Sequence, residues 1–511
     1  MFEILTPKQM SAAEQASVKS GVSLSKLMDN AGEGLYRSVL SAATKKFYKN
    51  AVILVGNGNN GGDGLVCAEL LAQSGIVPTV ILMCGQPKTE LAAAAFEKLD
   101  KSIVVLDRNS AEFDYITDKA EIIVDCVFGT GFHGKISDDL LPDFLHIDKC
   151  SAYKIACDLP SGVNALSGKV SPGTIKCNQT ITFHRKKLGL TLHPAKEYCG
   201  ELKICDIGIP DGWEKGLGLS IEQPTEAEIA ALLPERRRDS HKGSYGKLML
   251  VCGSEKYMGA AMISTQSALR SGIGIANLCT PKSVSQSLVS AMPECVFTPL
   301  KHDENGFISA DNLSLLLEQA KSASAIVLGC GLGVTDGTKE LVYGLIKNAD
   351  RPIILDADGI NCLSAHIDVL EEKQAEIMLT PHPAELARLC GKSVSEVLDD
   401  RLSATLYIAI KYGVTVHAKG TQTLTVTPES RCYITDFGNS ALAKGGSGDM
   451  LAGLIGSFAA QGKKTASACI LASCLMGTAA ENLSLSKSER GLLARDIISA
   501  FPDVLKRWEQ Q

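Results

Sequence analysis

Residues 51–70 read AVILVGNGNNGGDGLVCAEL. Five apolar residues lead into an unbroken run of Gly, Asn and Asp from Gly56 to Gly64, and an apolar-rich stretch follows. A β-branched run closed by a glycine loop and followed by a longer amphipathic segment is the strand–loop–helix unit of a parallel sheet. Gly56, Gly58 and Gly61 also satisfy the G-x-G-x-x-G spacing of a dinucleotide fingerprint. That fingerprint needs an acid about 20 positions on, at the end of the second strand, to hold a ribose hydroxyl. Here the second strand ends Ile81-Leu82-Met83-Cys84-Gly85-Gln86, without one. Asp63 would moreover repel a pyrophosphate seated on the helix N-terminus. The loop therefore reads as a binding loop of another kind. Asn and Gly suit a tight turn with positive φ, and their amides offer donors and acceptors to a ligand or an ion. A bare strand-to-helix turn would explain only one or two of these residues.

The same alternation runs outward through the chain. Strands are expected at Ala51–Val55, Thr79–Met83, Ile122–Asp125 and Lys154–Asp158, then at Leu248–Val251, Ala325–Leu328, Pro352–Asp356, Ile377–Thr380 and Val414–Ala418. Between the two sets, Ile209-Pro210-Asp211-Gly212-Trp213, Pro224 and the polar run Pro234–Gly243 mark a break placed near residues 211–225. The expected fold class is α/β: an N-terminal Rossmann-like three-layer sandwich over 1–215 and a second α/β domain over 222–511. Arg236–Arg238 reads as a solvated surface leading into that domain.

Bulk composition narrows the function classes. A net charge of -6 gives no basic field, so nucleic acid and anionic membranes are not expected partners. No apolar stretch approaches the roughly 20 residues of a membrane helix, and Met1-Phe2-Glu3-Ile4 lacks the layout of a signal peptide. A cytoplasmic protein is expected. The 17 cysteines include no C-x-x-C pair and sit mostly in apolar runs, so they read as buried reduced thiols rather than disulfides or metal ligands.

Two further strand ends carry acids before glycine loops: Val124-Asp125-Cys126-Val127-Phe128-Gly129-Thr130-Gly131 and Cys157-Asp158-Leu159-Pro160-Ser161-Gly162. Residues just beyond the carboxyl ends of parallel strands line the ligand crevice of such a sheet. Asn60, Asp125, Asp158 and Ser161 are thus expected to converge. With Leu27-Met28-Asp29-Asn30-Ala31-Gly32, these segments resemble the NAD(P)H-hydrate epimerase family over about residues 1–215. The resemblance implies that Asn59, Asn60, Gly61, Gly62, Asp63, the segment Gly129, Thr130, Gly131, Phe132, His133, Gly134 and Lys135, and Asp158 contact the hydrated nicotinamide nucleotide. It also implies a potassium ion on Asn60, Asp125 and Ser161. Epimerisation at the hydroxyl-bearing ring carbon needs a positioned acid–base group, for which Asp158 and Asp125 are both candidates.

In the second half, Gly438-Asn439-Ser440-Ala441-Leu442-Ala443-Lys444-Gly445-Gly446-Ser447-Gly448-Asp449 precedes a helical run in which Met450, Leu451, Leu454, Ile455 and Phe458 recur at helical spacing. A glycine-rich helix N-terminus presents free N–H groups to a phosphoryl group, and Asp449 in the first turn is placed to accept a hydroxyl proton. This pattern resembles the ribokinase-like fold. Lys242–Lys247, Leu328-Gly329-Cys330-Gly331-Leu332-Gly333, Thr380-Pro381-His382-Pro383-Ala384-Glu385 and Lys419–Thr423 narrow the resemblance to the NAD(P)H-hydrate dehydratase family. It implies that Lys419, Gly420, Thr421, Gln422, Thr423 and Gly448 hold nucleotide phosphates, and that Ala260, Gly331, Gly333, His382 and Asp449 hold the substrate. Cys330 and Ala384 depart from the family's usual proline and glycine. Glu385 is a candidate to organise Mg2+ through water, or a helix cap.

Together the two resemblances imply metabolite repair of hydrated NADH and NADPH. One half epimerises the R and S hydrates; the other phosphorylates the S hydrate with ADP as co-substrate and expels phosphate, leaving AMP. Small molecules are the implied partners, and a homo-oligomer is expected. The alternative is a ribokinase-type small-molecule kinase with a nucleotide-sensing N-terminal domain.

Overall fold

The computed structural model describes residues 4–213 and 218–510 and divides into two compact units, Met1–Leu217 and Gly218–Gln511. Residues 1–3, at the start of the segment read above for a signal peptide, and 214–217, inside the expected break, lie outside the described residues.

The first unit contains β1 (Ile4–Leu5), β2 (Asn50–Val55), β3 (Val77–Leu82), β4 (Val104–Asp107), β5 (Ile122–Cys126), β6 (Tyr153–Cys157), β7 (Gln179–Phe183), β8 (Lys186–Lys187) and β9 (Glu201–Cys205). Seven of them form one sheet in the order β4-β3-β2-β5-β6-β7-β9, every pairing parallel. Ala51–Val55 and all of β5 are buried, as strands covered on both faces by helices must be, and this is why they are continuous apolar runs. The chain leaves β2 in opposite directions to reach β3 and β5, so a crevice opens beyond the carboxyl ends of β2 and β5. Helix Asn59–Gln73 starts at this point. Much of the glycine run exists to let backbone approach backbone here. A Cβ on Gly61 would lie 2.1 Å from the Gly56 carbonyl oxygen, and one on Gly56 would lie 1.9 Å from that of Val127. Gly61→Ala is therefore expected to cost about 1–3 kcal/mol, read as a lower unfolding midpoint of this unit; an unchanged midpoint would show that the loop relaxes freely.

The second unit contains β10 (Ser220–Glu222), β11 (Lys247–Val251), β12 (Ile275–Pro281), β13 (Val296–Leu300), β14 (Ala325–Leu328), β15 (Ile353–Leu355), β16 (Ile377–Leu379), β17 (Thr415–Ala418), β18 (Thr423–Val426) and β19 (Arg431–Thr435). They form one sheet in the order β10-β19-β18-β17-β16-β15-β14-β11-β12-β13. Only β18 runs antiparallel to its neighbours. Helix Ser447–Ala460 is buried almost throughout, from Met450 to Ala460. Gly453 brings it against helix Met258–Arg270, where a Cβ would meet the Ser264 carbonyl oxygen at 2.0 Å.

Helix Thr465–Ser484 has the length and apolarity to cross a membrane, with a mean hydropathy of 1.2, but 67% of that window is buried inside the fold. This corrects the reading that no apolar stretch reaches such a length. Ser467, Ser473 and Thr478 interrupt the run in sequence, whereas in the folded unit about two thirds of it packs as core.

Candidate active sites

In the first unit a cavity of about 640 Å³ occupies the crevice beyond β2 and β5. Asn59, Asn60, Asp63, Gly129, Thr130, Gly131, Phe132, His133, Lys135 and Asp158 all line it. Gly61 and Gly62 lie behind this wall; a Cβ on Gly62 would meet Met28 Cε at 2.6 Å. Gly134 turns the chain at φ 86°.

Asp158 follows β6 with φ 63°, in the left-handed region that a non-glycine residue enters only at a cost of about 1–3 kcal/mol. The surroundings hold it there. Its Oδ1 accepts hydrogen bonds from Lys187 Nζ at 2.5 Å, Thr182 Oγ1 at 3.1 Å and the Phe183 N–H at 3.3 Å. Lys187 is fully buried and also donates to the Phe183 carbonyl at 2.8 Å. Two more acids face the same charge. Burial pushes Asp63 well above the ordinary carboxylate range, and the Asp158 and Glu14 charges add to the shift. Burial likewise raises Glu14, again with help from Asp158. Three carboxyls and one lysine are thus electrostatically coupled at the cavity.

Asp125 and Ser161 sit one step behind the lining. Asp125 accepts from the Ser161 N–H at 2.7 Å and from Ser161 Oγ at 2.5 Å; Ser161 Oγ in turn accepts from the Phe128 N–H at 2.8 Å. Burial raises the Asp125 carboxyl and these hydrogen bonds oppose the shift. Among the described residues no basic side chain pairs with Asp125. The buried amide nitrogen of Asn60 has no hydrogen-bond partner in the described structure. The Asp125 carboxylate, the Ser161 hydroxyl and the side-chain oxygen of Asn60 are the hard oxygen donors a cation would need, whereas the unpartnered Asn60 nitrogen is a donor and cannot ligate one.

In the second unit the strand ends of β14, β15 and β17 and the start of helix Ser447–Ala460 meet. Ligand atoms of Cys330, Asp356 and Asp449 lie within 4.8 Å of one another. Burial and then the Asp356 charge raise Asp449 to about 6. Asp356 Oδ1 accepts from Thr380 Oγ1 at 2.6 Å and from Lys419 Nζ at 2.7 Å. Burial works against the Lys419 charge, but Asp356 and Glu385 outweigh it and its pKa rises. Gly448 is adjacent: a Cβ there would stand 3.6 Å from both Lys419 Nζ and Asp356 Oδ2. Cys330 packs its Sγ 3.8 Å from Asp356 Oδ2. Hydrogen bonding with Cys252, then burial, pushes its thiol well up, so it stands here as a neutral neighbour.

Gly331 has φ 63° and its Cα faces Ala260, whose Cβ would be 2.8 Å from an added Cβ. The Gly333 N–H donates to Asp358 Oδ2 at 2.8 Å. His382 caps helix Pro383–Cys390, its Nδ1 accepting from the Ala384 N–H at 3.1 Å, while Glu385 Oε2 accepts from the His382 N–H at 2.8 Å. Glu385 is thus a cap, yet a buried one at 4.0 Å from Lys419. In the loop after β17, Thr421 is exposed, Gly420 packs on Arg401, Gln422 Nε2 donates to Asp436 and Thr423 opens β18.

Sequence reasoning missed Lys187, Glu14 and Asp356. Asp356 carried the same signal as Asp125 and Asp158, an acid closing a strand. Lys187 stands in Arg185-Lys186-Lys187, which reads as a solvated run, and Glu14 lies on an ordinary helix face.

Both units are similar to known proteins. The family model described as NAD(P)H-hydrate dehydratase matches residues 248–503, and that described as YjeF-related protein N-terminus matches residues 24–189. A bifunctional NAD(P)H-hydrate repair enzyme of Thermofilum pendens is 33% identical over 497 residues, covering 96% of this chain and 94% of that relative. The enzyme of the same description from Escherichia coli is 30% identical, covering 95% and 90%. A solved protein of Streptococcus mutans is 24% identical with a TM-score of 0.50, covering 56% of this chain and 99% of its own, a likeness of fold.

Proposed function

This chain belongs to the family of bifunctional NAD(P)H-hydrate repair enzymes, and from that premise we propose that residues 1–215 interconvert the R and S epimers of hydrated NADH and NADPH while residues 222–511 dehydrate the S epimer. The protein is a metabolite-repair enzyme with an isomerase and a lyase activity. The pairing of Asp158 with buried Lys187 at a cavity of about 640 Å³ carries the epimerase reading.

The hydrate bears a hydroxyl on the ring carbon next to nitrogen. When that group leaves as water the carbon becomes planar, and water returning to either face resets the stereocentre. Asp63, whose carboxyl burial pushes well above the ordinary range, hands the leaving hydroxyl its proton. Asp158 takes a proton from the returning water and passes it back to Asp63, which restores both groups for the next turnover. Asn59 and the segment Gly129–Lys135 orient the ring and its carboxamide through backbone and side-chain donors. Asn60, Asp125 and Ser161 would hold potassium, whose charge offsets the burial of Asp125. Asp158 is favoured over Asp125 as the base because Asp158 lines the cavity, whereas Ser161 occupies both oxygens of Asp125.

In the second unit, Asp449 removes the proton from the substrate hydroxyl as its oxygen bonds to the transferring phosphorus of ADP, and AMP leaves with the electrons of the broken P–O bond. Gly446–Gly448 present backbone N–H groups to the phosphoryl oxygens, and Lys419 faces the same charge. Phosphate then departs from carbon, and loss of a proton from the neighbouring ring carbon restores the reduced nicotinamide. Hydroxide is a poor leaving group and phosphate a good one, which is what the nucleotide contributes. Asp356 would hold Mg2+ with its waters, which would neutralise phosphate charge and leave Asp449 free as the base; the Cys330 thiol is too soft a donor for it.

The testing measurement is recovery of reduced-nicotinamide absorbance from a mixture of both NADH-hydrate epimers. With ADP and K+, complete recovery in two phases is expected, the slower set by epimerisation and slower still when Na+ replaces K+. Recovery that stops at the S fraction would remove the epimerase assignment. No recovery with ADP or ATP, together with a stable phosphorylated product from a hydroxymethyl substrate, would move the second unit to the small-molecule kinases.

A further inference from the structure

Apart from both sites, two short helices of the first unit face each other with matched pairs of ligand-type side chains. Asp114 and Asp118 lie four residues apart on helix Phe113–Lys119, and His146 and Cys150 lie four apart on and just after helix Leu141–Lys149. That spacing puts each pair on one helical face. We propose that Asp118, His146 and Cys150, with Asp114 closing the fourth position, bind a divalent cation of the zinc class.

The distances carry the proposal. His146 Nε2 lies 3.4 Å from Asp118 Oδ1 and 3.7 Å from Asp114 Oδ1. Cys150 Sγ lies 3.6 Å from Asp118 Oδ1 and 3.9 Å from His146 Nε2. A tetrahedron with metal–ligand bonds of about 2.0–2.3 Å has edges of about 3.3–3.8 Å. Asp118, His146 and Cys150 already stand near such edges before any ion draws them in, and Asp114, in reach of His146 alone, would swing in from the exposed side to complete the set. One sulfur, one imidazole nitrogen and carboxylate oxygens are the set that borderline-soft Zn2+ prefers over Mg2+ or Ca2+. The Cys150 thiol is nearly buried while the Asp118 side chain is 59% exposed, so an ion has both a dry ligand and an entry path.

Three neighbours bear on the site. Thr117 Oγ1 lies 3.0 Å from His146 Nε2 and also donates to the Phe113 carbonyl at 2.8 Å, so an ion would replace one hydrogen bond of Nε2 and leave the threonine satisfied. Lys154 Nζ is spent on the carbonyls of Cys150, at 2.6 Å, and Asp148, at 3.0 Å. The Phe113 ring, 6.1 Å from the imidazole, limits its rotation. The H-x-x-x-C spacing explains why inspection for C-x-x-C pairs passes the site over. An ion here would tie the helix carrying Phe144, which stacks on Phe128 of the cavity lining at 6.2 Å, to helix Phe113–Lys119.

The test is titration of reduced, chelator-stripped full-length protein with Co2+, read by thiolate-to-cobalt charge-transfer absorbance, followed by displacement with Zn2+. The parent is expected to develop the band with one cobalt, to lose it to zinc and to unfold at a higher temperature with zinc bound. Cys150→Ser is expected to lack the band, and Asp118→Asn, altered at an exposed carboxylate that cannot compromise the core, to bind at least tenfold more weakly. No band in the parent overturns the proposal. So does an undiminished band in Cys150→Ser, which would put cobalt at another thiol such as Cys330, or equal affinity in Asp118→Asn.

Discussion

Asp158→Asn is expected to slow interconversion of the hydrate epimers by about 10²–10⁴-fold, the usual contribution of a positioned acid–base group, while nucleotide-dependent dehydration of the S epimer proceeds at the parental rate. The substitution suits the question because asparagine tolerates left-handed backbone, so φ 63° at this position adds no new strain. It keeps an oxygen to accept from Thr182 and the Phe183 N–H. What it removes is the negative partner of Lys187, leaving a fully buried ammonium with only neutral acceptors. Uncompensated burial of a charge is destabilising by about 3–5 kcal/mol, so the variant should also unfold at a lower temperature. Adding Lys187→Met should return most of that stability and none of the epimerase rate. Following a pure S-hydrate sample by chromatography reads the rate directly. An unchanged approach to the R/S equilibrium in Asp158→Asn would exclude it as the base, and loss of the rate in Asp125→Asn alone would transfer the role there.

The legibility of this fold in its sequence follows burial. β2 and β5 are covered on both faces, so physics demands continuous apolar runs, and such runs are visible without coordinates. β7, Gln179–Phe183, is equally buried yet reads as a polar segment. Most of its polar atoms are satisfied inside, Gln179 Nε2 by Glu201, Thr180 by the Cys199 carbonyl and Thr182 by Asp158, while the buried Gln179 Oε1 has no hydrogen-bond partner in the described structure. The same contrast divides the sites. Strand-end acids announce themselves because a parallel sheet fixes where its carboxyl ends point, which made Asp125 and Asp158 readable. Lys187 did not, because only tertiary structure decides whether a lysine in a basic triplet is buried against a carboxylate. Helix Thr465–Ser484 shows the limit from the apolar side: its hydropathy belongs to a core, which composition alone does not distinguish from a membrane span.

Asp449→Asn should reduce dehydration by about 10²–10⁴-fold with epimerisation untouched, and it should make the protein more stable at neutral pH. Both effects have one cause. Burial and the Asp356 charge raise the folded-state pKa of Asp449 to about 6, above the value of an unfolded aspartate. A carboxyl shifted in this direction favours the folded state while protonated, below its unfolded pKa, and that contribution is lost as pH rises through about 6. At pH 7 to 8 the ionised base is therefore a standing cost, on the order of 2 kcal/mol once solvent screening at its partly exposed face is allowed for. Asparagine carries no such cost. The midpoint of Asp449→Asn should exceed the parent's at pH 8 and converge with it below about pH 3, where the aspartate is protonated in the folded and the unfolded state alike. The parental dehydration rate should fall with acid through about pH 6 as the base takes up its proton, and the residual rate of the variant should lose that limb. A variant that keeps the parental rate, or keeps its acid limb, would show that another group accepts the hydroxyl proton. Asp356 is the alternative nearest to hand, but with Thr380 and Lys419 both bound to its Oδ1 it is the less available base. A site that must hold an ionised carboxylate beside a second one sacrifices stability for the proton it has to take, and the pH dependence of that sacrifice is what identifies the group.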